Sequence, residues 1–424
     1  MSDRDLDIVV FGASGVTGRR VAAYLAQRSA ETDLRWAAAA RNTDRLLRLL
    51  DEDGVEAPET LAADLSDPSS LAAMAARARV VLNLVGPYTL YGRPVIAAAV
   101  ENGAHYVDLT GEIPFVRRMI DEFDRAATTA GLKVVQVCGF EVLPPDLLTL
   151  LAAERARERW DQGLDAVDLE VSVKPPPGLP RPSDGISGGT FQSLAAVAGA
   201  EEADLMADPA VLVDNAAVAA AVRRVSPIAL APRRGSGEAV IAPMAPAAFI
   251  NPAVIHRSAE LIAAAERRTP EPFRYREGLV LGGHAVSLPA RWALAGVLSA
   301  TQIGLLGLVR AGPGVRKPAA SALSRLGPGS GYGPTADRLE GWKWRMTLRG
   351  RTTGGRELEL QLDADGHPGY LSTARLLGEA GMLLAEDGAT PERAGCLTPA
   401  AALGSKQIAR FERAGMRVAE VERV

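Results

Sequence analysis

The sequence predicts an α/β protein with an N-terminal doubly wound parallel sheet and a C-terminal α+β domain built on an antiparallel sheet. Three observations predict it. Between residues 7 and 138, short β-rich runs alternate with helical patterns, the order that parallel strands with crossover helices require. That alternation stops at Pro144-Pro145. Nearer the C-terminus, two runs alternate apolar and polar residues on either side of Gly354-Gly355, the pattern of a half-exposed hairpin. A chain of 424 residues is also too long for one ordinary domain.

The elements follow in order. Residues 7–11 read as a strand, followed by glycines and a helical pattern through Arg28. Residues 34–40 are the second strand, and 43–50 a helix with Thr43 as its cap. Residues 60–64 form the third strand, and Pro68 opens another helix. The apolar run 80–85 is a strand buried on both faces. A helix over 94–102 stops at Gly103, in the manner of a C-cap glycine. Residues 105–109 are strand, 115–130 a helix ended by Gly131, and 133–138 the sixth strand. Beyond the prolines, a helix runs from 146 to about 159 and an alternating strand covers 167–173. Residues 175–182 are a rigid proline loop, and 187–310 mix Ala-rich helices with loops. Clustered Pro and Gly make 312–334 a mobile loop. The hairpin occupies 342–349 and 356–362, a helix covers 369–384, and Thr398-Pro399 caps a last one. The implied units are 1–145, 146–368 and 369–424, the last being helices that pack back on the first.

Composition narrows the function. Hydrophobic residues make up 47% and charged ones 23%, with a net charge of −4. No Lys/Arg-rich block exists, so no nucleic-acid partner is expected. Cys138 and Cys396 form no CxxC pattern, and Met1–Asp5 is polar, not a signal peptide. A reducing cytoplasm is the expected location. His105, His256, His284 and His367 lie too far apart for metal-ligand spacing, so no metal is expected.

The strongest motif is Gly12-Ala13-Ser14-Gly15-Val16-Thr17-Gly18, placed between a strand and a helix. Gly12, Gly15 and Gly18 let the backbone turn tightly, approach a pyrophosphate and pack the helix on the sheet. The helix start offers unpaired N–H groups and a positive dipole end. Enzymes selective for NAD place a carboxylate after the second strand. Here Ala40 is followed by Arg41, which matches a 2′-phosphate and points to NADP(H). Arg19 and Arg20 either add to that site or face water, and Asp64 either meets the adenine or caps a helix.

Further motifs sit at the same sheet edge. Gly86-Pro87-Tyr88 and Tyr91 follow the fourth strand, Gly111-Glu112 the fifth, and Gly139-Phe140-Glu141 the sixth. Gly86, Pro87, Gly111, Gly139 and Phe140 are candidate cofactor contacts. Tyr88, Tyr91 and Glu112 are candidate catalytic groups, with anchoring or helix-start roles as the plainer alternatives. There is no Tyr-x-x-x-Lys pair and no Walker lysine. The uncharged stretch 292–309 is expected to be a buried or dimer-facing helix, with a pocket wall or a membrane surface as the other readings.

Together these residues resemble the saccharopine dehydrogenase-like oxidoreductases of actinobacteria, and among them the trans-acting enoyl reductases. The resemblance rests on the glycine loop, Val85-Gly86-Pro87-Tyr88 with Tyr91-Gly92, and Tyr106-Val107-Asp108-Leu109-Thr110-Gly111-Glu112. It continues through Gly139-Phe140-Glu141 with Pro144 and Asp146, then Ser187-Gly188-Gly189-Thr190, Gly369-Tyr370 with Thr373-Ala374, and Leu397-Thr398-Pro399-Ala400-Ala401. It implies an NADP-binding Rossmann domain and a second domain that completes the pocket. One departure is Glu141-Val142, where the family usually has Asp-Ser. The resemblance implies NADPH-dependent reduction of a C=C bond in a polyketide- or lipid-like acyl group, with a polyketide synthase or acyl carrier protein as partner. Hydride would reach the β-carbon, backbone N–H groups near Gly86 to Tyr88 or Gly111 would meet the enolate, and Tyr88, Tyr91 or water would supply the proton. A carbonyl or imine reductase, or a non-redox NADP-binding sensor, scaffold or cyclase, are the alternatives.

Overall fold

The computed structural model describes residues 4–178, 188–235, 237–282, 286–327, 329, 332–335 and 338–421. His284, Ser187 and the end of the 175–182 proline loop lie outside the described residues. Among those described, two seven-stranded sheets organise the chain.

The first sheet begins with strict alternation. Its strands are β1 (Leu6–Phe11), β2 (Trp36–Ala40), β3 (Thr60–Ala62), β4 (Ala78–Asn83), β5 (His105–Asp108) and β6 (Lys133–Val135). Between them run α1 (Val16–Ser29), α2 (Thr43–Glu52), α3 (Pro68–Arg77), α4 (Tyr88–Glu101) and α5 (Ile113–Thr129). All pairings are parallel, and β1 lies between β4 and β2. The apolar runs follow from burial on both faces. Ile8 and Val10 enter one core and Val9 and Phe11 the other, because successive strand residues point to opposite sides. Pro68 stands in the first turn of α3 as expected, but the cap of α2 is Asn42, not Thr43. The Asn42 carboxamide oxygen accepts from Arg45 N at 2.8 Å.

α6 (Leu143–Trp160) leads into the second sheet, whose first strand is β7 (Leu164–Lys174). Then come α7 (Gly188–Gly199), α8 (Ala216–Val225), β8 (Arg233–Arg234), β9 (Val240–Ala242), α9 (Ala247–Ala265), β10 (Arg274–Leu281), α10 (Leu288–Arg310) and α11 (Pro313–Leu326). The hairpin β11 (Lys343–Thr352) and β12 (Glu357–Asp365) forms as its alternation predicts, with Thr347 opposite Gln361. The strand order is β14-β12-β11-β7-β10-β9-β8, with β14 given below. This sheet is mixed, since β10 pairs parallel to β7 while the other pairings are antiparallel. The crossover that makes β7 and β10 parallel contains α7 to α9, a stretch without readable strand signals.

Two further expectations change. Residues 313–326 are a helix, not a loop, because Pro313 stands in its first turn, where a missing N–H costs no hydrogen bond. The C-terminal segment also supplies strands besides helices. After α12 (Thr373–Ala385) come β13 (Gly395–Leu397), α13 (Pro399–Leu403) and β14 (Met416–Glu420). β13 adds to the first sheet beside β6, and β14 pairs with β12. α12 lies against the first sheet, where Gly378 and Gly381 leave room for Tyr24 and Leu82. Buried Glu379 fixes it there, accepting from Tyr24 Oη at 2.7 Å and Arg28 Nε at 2.8 Å.

Candidate functional site

The carboxyl edge of the first sheet gathers the loops that follow β1, β4, β5 and β6, which is where open parallel sheets bind ligands. The turn after β1 is shaped by Gly12, whose φ of +88° suits glycine and whose absent Cβ would lie 2.8 Å from Val85 Cγ2. Gly18 lies against the same turn. A Cβ there would fall 2.2 Å from Gly12 O and 2.8 Å from Ala13 Cα. The glycines thus press α1 onto β1, and Gly15, its N-cap, makes no side-chain capping bond. Ser14, Val16 and Thr17 fill the turn and stay partly accessible, and no acidic residue occupies the first turn of α1. This uncapped positive end fits a pyrophosphate. From the second domain, residues 332–335 approach it, since a Cβ on Gly333 would lie 3.3 Å from Val16 Cγ1.

Arg41 is exposed just past β2. No carboxylate lies within ion-pair distance of it among the described residues, although its charge lowers the Asp64 pKa slightly. Asp64 neither caps α3, which Asp67 does, nor stands free. Its Oδ1 accepts from Ser66 N and Ser66 Oγ, both at 2.9 Å, and these bonds hold its pKa down. Arg19 and Arg20 are also committed elsewhere, to Asp53 at 2.6 and 3.5 Å. Of Arg19, Arg20 and Arg41, only Arg41 makes no ion pair among the described residues.

The structure reassigns two of the three expected catalytic groups. Glu112 is buried and accepts from Tyr88 N at 2.9 Å and Thr89 N at 2.7 Å, so both oxygens cap the start of α4. Tyr88 is buried, and its hydroxyl donates to Asn83 O at 3.0 Å. Desolvation raises its pKa well above the usual tyrosine value. It anchors the β4–α4 turn and is not a ready acid. The same capping occupies the Tyr88 N–H expected to meet an enolate. Tyr91 is 42% exposed one turn further along and keeps its hydroxyl unengaged among the described residues. Gly86 and Pro87 line the accessible side of this turn.

Beneath these loops a buried network ties three strand ends together. Asn83 Nδ2 donates to Tyr106 Oη and Tyr106 Oη to Asp108 Oδ2, each at 2.9 Å. Asp108 Oδ1 accepts from Thr110 N and Val137 N at 3.0 and 3.1 Å. Val137 takes a left-handed φ of 62°, a strain that these bonds help to hold. Burial pushes the Asp108 pKa up to about 7 despite them. The network fixes where Gly111 and Gly139 emerge.

Gly139 and Phe140 are both buried. The Phe140 ring stands edge-on to Trp344, with centroids 4.8 Å apart, and the Phe140 backbone N–H donates to Thr373 Oγ1 at 3.2 Å. Glu141 lies where this loop meets the second domain. α9 descends onto it. Ile250 Cδ1 would be 2.8 Å from a Cβ on Gly111, and Asn251 Nδ2 donates to Glu141 O at 2.7 Å. The same amide donates to Glu277 Oε2 at 2.6 Å, which also accepts from Tyr275 Oη at 2.7 Å. Glu277 is buried, and desolvation pushes its pKa up to about 7. Its other oxygen, Oε1, has no partner among the described residues, nor has Asn251 Oδ1. Oε1 is therefore the oxygen left to carry a proton.

Residues 8–135 match the saccharopine dehydrogenase NADP binding domain. A Mycobacterium tuberculosis protein, provisionally named trans-acting enoyl reductase, is 36% identical over 428 residues, 97% of each chain. A Mycobacterium ulcerans trans-acting enoyl reductase is 33% identical over 431 residues, 98% of each chain. The chain belongs to the saccharopine dehydrogenase-like family, with the trans-acting enoyl reductases. It binds NADP(H) and is an NADP-dependent oxidoreductase. Apo saccharopine dehydrogenase (L-Glu forming) from Saccharomyces cerevisiae shares the fold, with a TM-score of 0.52 at 13% identity, covering 98% of this chain and 100% of that one.

Within this family fold, Asn251, Tyr275 and Glu277 escaped sequence reasoning. They lie over 100 residues beyond the Gly139-Phe140-Glu141 loop that Asn251 meets, on elements whose order the sequence did not reveal. Glu277 offered one faint signal, an acidic residue within an otherwise strand-like run ending in Gly278-Leu279-Val280-Leu281.

Proposed function

We propose that this oxidoreductase reduces the C=C bond of an α,β-unsaturated acyl group on a polyketide- or lipid-like substrate. The supporting observation is the junction of Gly139–Glu141 with Asn251 and Glu277, which sets a proton-holding carboxyl beside the sheet edge that receives the nicotinamide. NADPH, when bound, supplies the hydride. The first turn of α1 holds the pyrophosphate, and Arg41 selects the 2′-phosphate. Gly111 N–H, which donates to nothing among the described residues, meets the developing enolate oxygen. Glu277 Oε1 delivers the proton to the α-carbon, while Asn251 and Tyr275 hold Oε2. The relatives' shared name supports enoyl reduction in trans. On that support the acyl chain is presented by a polyketide synthase or acyl carrier protein.

The test uses purified protein, an α,β-unsaturated thioester and NADPH deuterated at the transferred position. Deuterium on the β-carbon of the product supports the reading, and deuterium on a carbinol or amine carbon refutes it. Glu277→Gln should lower kcat by on the order of 100-fold with unchanged NADPH affinity. The sign of the pH effect follows from the raised pKa. The carboxyl keeps its proton below about 7, so kcat should fall as pH rises through that value, and the variant should lose this limb. If Tyr91→Phe causes the larger loss, the proton comes from Tyr91.

A further inference from the structure

α10 is built inside out. Arg291, Ser299 and Gln302 face the protein, while Leu294, Val297 and Ile303 are 48%, 62% and 55% exposed. The inward polar groups serve main-chain carbonyls of other segments. Arg291 Nη1 donates to Glu238 O at 2.8 Å, Ser299 Oγ to Leu230 O at 2.5 Å, and Gln302 Nε2 to Pro243 O at 2.8 Å. The helix is thus fastened along its length, and its apolar side is left outward. The surface is broad, because among the described residues Gly296, Gly304 and Gly307 have no neighbouring atoms where a Cβ would stand. Leu288 is exposed at its start, and Val315 and Leu326 extend the apolar surface along α11.

Charge indicates the occupant. Between Glu277 and Asp337 the sequence has no acidic residue, but it has Arg291, Arg310, Arg316, Lys317 and Arg325, in a chain of net charge −4. Arg291 and Arg316 are buried on carbonyls, whereas Arg310, Lys317 and Arg325 are exposed around α11. A second copy of these two helices would bring the same cations, and the helices themselves carry no carboxylate to meet them. Anionic headgroups would meet them, and acyl tails would accept Val297 and Ile303. We propose that α10 and α11 dock this enzyme on the surface of an anionic phospholipid bilayer, with α10 lying in the interface and not crossing it. The inward hydrogen bonds exclude a crossing while the fold is intact. Leu305 and Leu306 on α10 pack against Ala248 and Phe249, which precede Ile250 and Asn251 of the site. The bound membrane would therefore lie one helix away from the crevice.

The experiment is flotation of the full-length protein with vesicles of phosphatidylcholine alone or mixed with phosphatidylglycerol. The protein should rise with the mixed vesicles, and less so at high salt. A double variant, Val297→Glu with Ile303→Glu, should lower partitioning about tenfold or more while keeping NADPH binding, since both side chains are exposed. Arg310→Glu with Lys317→Glu should abolish the preference for phosphatidylglycerol. Failure to float with either vesicle overturns the proposal. Sedimentation that then shows a dimer lost in the Val297/Ile303 variant would assign the face to a second copy.

Discussion

Two helices, α1 and α4, begin at the same sheet edge, and their first turns are finished in opposite ways. α1 starts on Gly15 with no side-chain cap and no acidic residue, so its N–H groups and positive end stay open. α4 starts on Pro87, and buried Glu112 occupies its N–H groups at 2.7 and 2.9 Å. The electrostatics are equivalent, since each end attracts an anion. The difference lies in who supplies the anion. At α4 the chain supplies its own carboxylate and gains a rigid turn. At α1 glycines clear the space, and the anion comes with the ligand. An acidic residue near a helix start is therefore a poor guide to catalysis, because it so readily completes the helix instead.

The largest effect should come from closing the open end. Gly18→Val puts side-chain carbon where only 2.2 Å separates the Cβ position from Gly12 O, so the turn must move. NADPH affinity should fall by on the order of 100-fold or more, measured by quenching of protein fluorescence, while circular dichroism reports the fold. Opening the closed end is the reverse test. Glu112→Ala strands the buried Tyr88 N–H and the part-buried Thr89 N–H and should cost about 1–3 kcal/mol in urea unfolding. Glu112→Gln retains an acceptor and should cost less. If Glu112→Gln instead kept full stability but lost turnover, the carboxylate would be catalytic after all.

The same contrast explains what was legible in the sequence. The glycine loop could be read because tight turns and close approach admit almost nothing but glycine, so Gly12 and Gly18 carry their reason in their identity. The parallel sheet could be read because both of its faces are buried and its strands are nearly unbroken apolar runs. Glu112 and Tyr88 were ambiguous, because their roles depend on partners 24 and 5 residues away, not on residue type. β13 was missed because a three-residue strand of Gly395, Cys396 and Leu397 has no period to detect. Which side of α10 faces outward could not be read for a related reason. An uncharged run shows that the surface is apolar, but which side the body covers is decided by remote carbonyls at Leu230, Glu238 and Pro243.

The smallest effect sharpens the comparison at the far end of the cofactor. Arg41 is exposed, and its ordered contact would be with the 2′-phosphate. Arg41→Ala should weaken NADPH binding about tenfold, or about 1.4 kcal/mol, and leave NADH binding unchanged. Titration of both cofactors against both proteins measures this. Added salt should shrink the difference, because a solvent-facing ion pair is screened whereas the N–H groups at α1 are not. An equal loss for NADH would mean that Arg41 supports the fold of the loop before α2 and selects nothing. Preference for NADH in the unaltered protein would remove the assignment entirely. In either case the proposal for the open end of α1 would stand, since the pyrophosphate it would hold is common to both cofactors.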